Sequence, residues 1–424
     1  MSDSTTEQIF DTVTEERAGE SDLGPKAQEV EPGSFLRHVI SLGASKTADG
    51  LIDPKLVLSW LLTHLGAGAF WTGLLVPVRE AGALLPQLFA TPFINRTRIR
   101  KWFWAGGSLV QGLSAAGIAL AALTLEGGIA GAVIVALLAV LALARSVCSA
   151  SYKDILGKTV DTARRGTATG FASSASAIGV IVFALILMAG LGDRYVLVEG
   201  AILLAAGLWI LAALVFATLK EVPSENEGSA DGLAQFSLLR EDKQLTRFII
   251  TRSLLVGTAL APPYLVMLQP DGAFAALGAL VLASAIASLL SSYVWGRLSD
   301  HSSRRVLQLS GLAGGIVLST LLAAQWLGWA EVPGVIPVTL FGLMIAYHGV
   351  RQGRSTHLVD MAGPENRASY TALSNTIVGL VLIGAGAGFA GLAALSVPLV
   401  IGLFAVMCFG AAAMATGLDE VQDG

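Results

Sequence analysis

Residues 168–191 read ATGFASSASAIGVIVFALILMAGL. The stretch carries no charge and does not alternate, and as a helix rising 1.5 Å per residue it is long enough to cross about 30 Å of hydrocarbon. A membrane β-barrel would instead show alternating segments of roughly ten residues. Ala105 to Leu125 and Val306 to Ala330 read in the same way. Of the 424 residues, 54% are hydrophobic and 14% charged, whereas an ordinary soluble domain carries roughly 25% charge. A water-soluble fold of this length could not cover its surface. The 48 glycines suit helices that pack closely in lipid through small residues. The expected class is an all-α membrane protein of about twelve transmembrane helices.

Segments of suitable length fall near 35–58, 70–94, 103–124, 128–149, 167–191, 196–219, 248–269, 272–295, 306–329, 333–352, 368–389 and 393–416. The first is the weakest, since Arg37, Lys46, Asp49 and Asp53 lie inside it; orientation argues for keeping it. With the N-terminus in the cytoplasm, the cytoplasmic connections hold Arg96, Arg98, Arg100 and Lys101, then Lys153, Lys158, Arg164 and Arg165, then Lys220, Arg240, Lys243 and Arg247, then Arg297, Arg304 and Arg305, then Arg351, Arg354 and Arg367. The opposite connections offer Arg194 alone. That is the positive-inside asymmetry, and it places both termini in the cytoplasm, as expected for a bacterial inner membrane. The net charge of -4 arises in the N-terminal tail, where Met1 to Glu31 holds nine acidic residues against Arg17 and Lys26.

Sliding Gly68–Lys101 by 204 residues places Gly68-Ala69-Phe70 on Gly272-Ala273-Phe274 and Arg100-Lys101 on Arg304-Arg305. Sliding Arg165–Gly179 by 202 places Thr169 on Thr371 and Thr167 on Ser369. Two nearly equal offsets at matching topological positions indicate two pseudo-symmetric six-helix bundles. The expected organisation is a disordered acidic tail at 1–33, an N-terminal bundle at 34–219, a cytoplasmic linker at 220–247, a C-terminal bundle at 248–417 and a tail at 418–424. Phe236–Arg247 reads either as a short amphipathic surface helix or as plain linker.

Gly296-Arg297-Leu298-Ser299-Asp300-His301-Ser302-Ser303-Arg304-Arg305 resembles the glycine, aspartate and paired-basic signature of the major facilitator superfamily, which that family carries after its second and eighth helices. The corresponding stretch Pro92–Lys101 keeps the basic residues without the glycine and aspartate. The fifth span also lacks the glycine-proline motif of many drug/proton antiporters in the superfamily. The resemblance spans roughly 35–416 and implies alternating access by rocking of two halves about a central cavity. It also makes Gly296, Asp300, Arg304 and Arg305 candidates for a cytoplasmic gate. Arg145, Asp154 and Arg165, with Arg351 and Arg367 in the second half, are charges of matching type near that mouth and join the gate set.

Ionisable groups inside a membrane are costly, so each invites a functional reading. Lys46, Asp49 and Asp53 stand at i, i+3 and i+7, on one face of a helix. Lys46 and Asp49 can neutralise one another, which leaves Asp53 as the freer carboxylate; alternatively, Asp53-Pro54 marks a helix break with Asp53 and Lys55 in water. Arg79 and Glu80 fall under the repeat offset on Ala283 and Ser284, so the fold alone does not require them. Asp49, Asp53 and Glu80 are therefore the candidate proton-coupling carboxylates. Lys46, Arg79, Arg252, Gln269, Tyr347 and His348 are the candidate substrate contacts, with an interfacial or packing role as the alternative for His348 and Arg351. Pro262-Pro263 should break the seventh span.

No phosphate-cradling glycine loop, metal-ligand spacing or nucleophile constellation stands out. The chain reads as a non-enzyme, without cofactor or metal, and as no partner of nucleic acid. The function expected is secondary transport of a small polar or anionic organic solute, coupled to protons, by a monomer in the lipid bilayer. Export of drug-like or lipid molecules, or a non-transporting sensor or assembly role on the same fold, are the alternatives.

Overall fold

The computed structural model describes residues 7, 10, 12, 14, 23–86, 93–94, 96–190, 192–223, 238–268, 276–362 and 367–422. The N-terminal half contains α1 (Pro25–Leu51), α2 (Val57–His64), α3 (Ala69–Leu84), α4 (Lys101–Thr124), α5 (Gly127–Thr159), α6 (Thr162–Met188) and α7 (Arg194–Ala217). The four-residue α8 (Leu238–Glu241) leads into the C-terminal half: α9 (Lys243–Leu254), α10 (Val256–Leu260), α11 (Pro262–Met267), α12 (Ala276–His301), α13 (Ser303–Trp326), α14 (Val335–Met361), α15 (Arg367–Ala393) and α16 (Val397–Ala415). Short polar residues start several of these helices. Asp161, Asp193, Asp242, Ser302 and Ser396 each accept a hydrogen bond from a backbone N–H in the first turn of α6, α7, α9, α13 and α16, satisfying donors that a helix start leaves open.

Nine described helices, with α9–α11 counted as one, are long and apolar enough to cross a membrane. Together with the broken pair α1–α2, the short α3 and the more polar α14 they make the twelve spans of a multi-pass membrane protein. The three exceptions are the helices that carry Lys46, Asp49, Arg79, Glu80, His348 and Arg351.

Two broken spans occupy equivalent positions. α1 ends at Leu51 before the Asp53-Pro54 break, and α9 ends at Leu254 before the interruptions at Leu255 and Ala261 that precede Pro262-Pro263. The packing repeats as well. α4 packs on α5 and α7, α3 on α5 and α1 on α7; correspondingly α13 packs on α14 and α16, α12 on α14 and α9 on α16. The halves meet along α3 against α15 and α6 against α12, the four helices that contain the two internal sequence matches.

This seam is tight near the face opposite the termini. A Cβ at Gly73 would sit 3.1 Å from the Ala390 Cα, and one at Gly278 would sit 2.9 Å from the Ala184 carbonyl oxygen. Only glycine lets these backbones approach so closely.

Two boundaries differ from expectation. The first helix begins at Pro25, not near 34, and part of the acidic segment is packed. Glu31 is buried and accepts from the Asp161 N–H at 3.0 Å and from Arg164 at 2.9 Å, while Phe10 meets the Phe35 ring edge-on with centroids 5.4 Å apart. Charge composition alone suggested a solvated tail; Arg164 and the start of α6 supply the partners that make burial possible. Likewise α9 starts at Lys243 rather than 248, because Leu245 and Phe248 are buried against the C-terminal half.

Candidate functional site

Between the halves lies a cavity of about 440 Å³, within the range of roughly 300–1,000 Å³ usual for small-molecule sites. Lys46 and Asp49 reach it from α1, Asp53 and Lys55 from the break, and Arg145 from α5. Ser173 and Ser176 line it from α6, Ser284 and Ser288 from α12, and Tyr347, His348 and Arg351 from α14. The face shared by Lys46, Asp49 and Asp53 thus looks inward, as their spacing requires.

Their pairing differs from the simplest expectation. Lys46 does not neutralise Asp49; its Nζ donates to Ser173 Oγ at 2.5 Å, with no carboxylate partner among the described residues. Asp49 instead binds two arginines, Arg79 of α3 at 2.7 Å and Arg145 of α5. One carboxylate between two guanidinium groups leaves that cluster with a net positive charge.

Asp53 makes no described ion pair and is held by its own backbone. Its Oδ1 accepts from the N–H groups of Lys55 at 2.8 Å and Leu56 at 3.0 Å, which ends the break and starts α2. The turn swings Lys55 inward rather than into water. Lys55 is buried; its Nζ donates to Tyr347 Oη at 2.9 Å and lies 3.4 Å from Glu80. Arg79 and Glu80 therefore both pair with the first span, at different points along it.

Among the other candidates, Tyr347 and His348 line the cavity. Arg252 does not; it is buried beneath it, donating to Ser374 Oγ at 2.7 Å and to Asn375 Oδ1 at 2.8 Å. Gln269 lies outside the described residues. Lys55 and the four serines were not among the expected site residues. The serines had a signal, since 173/176 and 284/288 are spaced to share a helix face in spans that are otherwise mostly apolar.

The gate candidates disperse. Arg145 and Arg351 belong to the cavity. Asp154 pairs with Arg100 at 2.8 Å and with Lys158, and Arg165 donates to the carbonyls of Val160 and Gly157 at the end of α5. Asp300, Arg305 and Arg367 are exposed, and Gly296 is half-buried. Arg304 does not bond Asp300; it meets Glu420 at 3.4 Å and the Leu418 carbonyl at 3.3 Å. The described ion pairs near the termini each stay within one half, so none of them closes the mouth on that face, while toward the opposite face the halves approach closely at Gly73 and Gly278.

No family model matches the chain, and no curated protein matches it. Solved structures do. An alanine variant of the nucleoside transporter NupG superposes with a TM-score of 0.72 at 15% identity, covering 91% of this chain and 100% of that one. A D-xylose-proton symporter gives 0.67 at 13% identity, covering 92% and 98%. The xylose transporter XylE from E. coli, in a partially occluded inward open conformation, gives 0.65 at 13% identity, covering 91% and 100%. The twelve spans, the repeated packing of the two halves and these likenesses agree that the chain has the fold of the major facilitator superfamily.

Proposed function

We propose that the chain is a secondary transporter for a small organic anion, working by rocking of its halves about the central cavity. The observation that carries this reading is the charge of the lining. Lys46, Lys55, Arg145 and Arg351 face the cavity against Asp49 and Asp53, and Lys46 and Arg351 have no ion-pair partner among the described residues. Cations that remain unpaired in a membrane interior invite a functional role, and an anionic solute supplies the missing charge. A cavity suited to drug-like or lipid molecules would be lined chiefly by apolar and aromatic groups. A protein with no solute would have paired its charges off.

Proton coupling is part of the proposal, with Asp53 as its first carrier. Asp49 and Glu80 are tied into ion pairs, whereas Asp53 can change charge without breaking one. The likeness to a D-xylose-proton symporter supports coupling, and the positive-inside pattern supports cytoplasmic termini.

Uptake by the purified protein in liposomes under an imposed pH gradient tests the reading. Carboxylates should be taken up in preference to neutral analogues of equal size. Lys46→Gln and Arg351→Gln should each raise KM about tenfold or more, corresponding to roughly 1.4 kcal/mol, and Asp53→Asn should flatten the pH dependence. Uptake of neutral solutes undisturbed by either cation variant would sink the anion assignment.

A further inference from the structure

Beneath the central cavity, a second pocket of about 30 Å³ is lined by Glu80, Arg252, Tyr347, Arg351 and Arg354 among others. A space this small admits an inorganic ion or a few waters and excludes an organic solute. We propose that it is a binding site for a small inorganic anion, chloride in a physiological medium. It shares Tyr347 and Arg351 with the central cavity, but Arg252 and Arg354, which carry the assignment, do not line that cavity, so it stands if the solute reading fails.

Three observations support it. First, Arg252 is 5% exposed, and its Nε has no hydrogen-bond partner although its other two nitrogens are held by Ser374 and Asn375. A buried guanidinium whose hydrogen-bond partners are all neutral brings an uncompensated charge to the pocket it lines. Second, none of Arg252, Arg351 and Arg354 makes an ion pair among the described residues. Glu80 is the one carboxylate of the lining, and Lys55 already claims it at 3.4 Å. Arg354 is close enough to Arg252 for their charges to repel, and Glu80, which also acts on Arg351 and Arg354, is one charge against all of them. A water in the pocket would leave the surplus charge uncompensated.

Third, the N-terminal half shows what is missing. The ends of α1 at Leu51 and α9 at Leu254 are offset by 203 residues, between the two offsets of the internal repeat, and this register places Arg252 on Asp49. Asp49 offsets one of the two arginine charges around it from within the chain. Where that half has an aspartate the C-terminal half has another cation, so Glu80 alone offsets several cations there and an external anion would supply the rest.

The test is the melting temperature of the purified protein in sodium chloride, bromide and gluconate at equal ionic strength. Chloride and bromide should raise it saturably above gluconate. Arg252→Gln and Arg354→Gln should each raise the half-saturating halide concentration at least tenfold, and having both variants guards against one that folds poorly. Equal melting of the parent protein in the three salts means a water only and overturns the proposal. Halide stabilisation that persists undiminished in both variants places the ion elsewhere and also overturns it.

Discussion

Lys55 Nζ donates to Tyr347 Oη at 2.9 Å and lies 4.0 Å from the centroid of the same ring, so one lysine of the N-terminal half holds one tyrosine of the C-terminal half. The contact depends on the break in the first span. Without Asp53 capping the turn, a continuous helix would carry Lys55 to a different angle. Glu80, 3.4 Å from the ammonium group, anchors it to its own half. The pair therefore joins the halves at the floor of the cavity, beside the two pockets.

A double-mutant cycle measures this joint. Tyr347→Phe keeps the ring and removes the acceptor oxygen; Lys55→Met keeps the length and removes the charge. The two should be non-additive in melting stability, with a coupling of about 1 to 2 kcal/mol, as expected for residues in direct contact. Additive effects would show that the lysine is held by Glu80 alone.

Asp49 sits between Arg79 and Arg145. Removing its charge leaves two guanidinium groups facing each other in a partly buried place, which costs more than the lost bonds themselves. Asp49→Asn should destabilise the protein by on the order of 2 kcal/mol. Adding Arg145→Gln should recover part of the loss by removing the repulsion. Thermal unfolding in detergent reads both, and a double variant less stable than Asp49→Asn would contradict the triad.

Much of this arrangement was legible in the chain, for physical reasons that differ by element. Residues 168–191 declared a spanning helix because lipid admits no other reading of so long an uncharged run. The repeat was found in α3, α6, α12 and α15 because those helices form the seam, where close backbone approach restricts what can replace a small residue. The inward face of Lys46, Asp49 and Asp53 was set by helical spacing. Their partners were not, since Arg79 and Arg145 reach Asp49 from helices whose relative rotation is fixed only by packing. Exposure of Lys55 to water stays open as an alternative in the sequence because a helix break conceals the direction in which the chain leaves it. Glu420, which pairs with Arg304, comes from a tail with no periodic signal.

Glu31 ties the start of the first span to α6 through Arg164 at 2.9 Å and the Asp161 N–H at 3.0 Å. Its side chain is nearly fully buried, so Glu31→Gln keeps the shape while halving the interaction. Hydrogen exchange at residues 25–35 should then speed up several-fold, with the deeper spans unchanged. Unaltered exchange in this segment would mean that the helix is held by Phe35 and its neighbours without the acid.

The glycine seam sets which face of the protein is closed. At Gly278 an added Cβ would meet the Ala184 carbonyl oxygen at 2.9 Å, and at Gly73 it would meet Tyr264 Oη at 2.7 Å and the Ala390 backbone at 3.1 Å. The side chain of Tyr264 could move aside; the two backbones could not without parting the halves. Gly278→Ala and Gly73→Ala should therefore weaken closure of the face opposite the termini while leaving each six-helix bundle folded. Gly106→Ala, which meets nothing within 4 Å, is the matched control. Spin labels placed across the seam should report a longer distance in the first two variants and an unchanged one in the control. A penalty of about 1.4 kcal/mol in the closed state shifts the open-to-closed ratio about tenfold, enough to be visible even if the open form is rare in the parent protein. Unchanged distances in both seam variants would show that the halves are held by other contacts and that close packing at these glycines is incidental to the conformation.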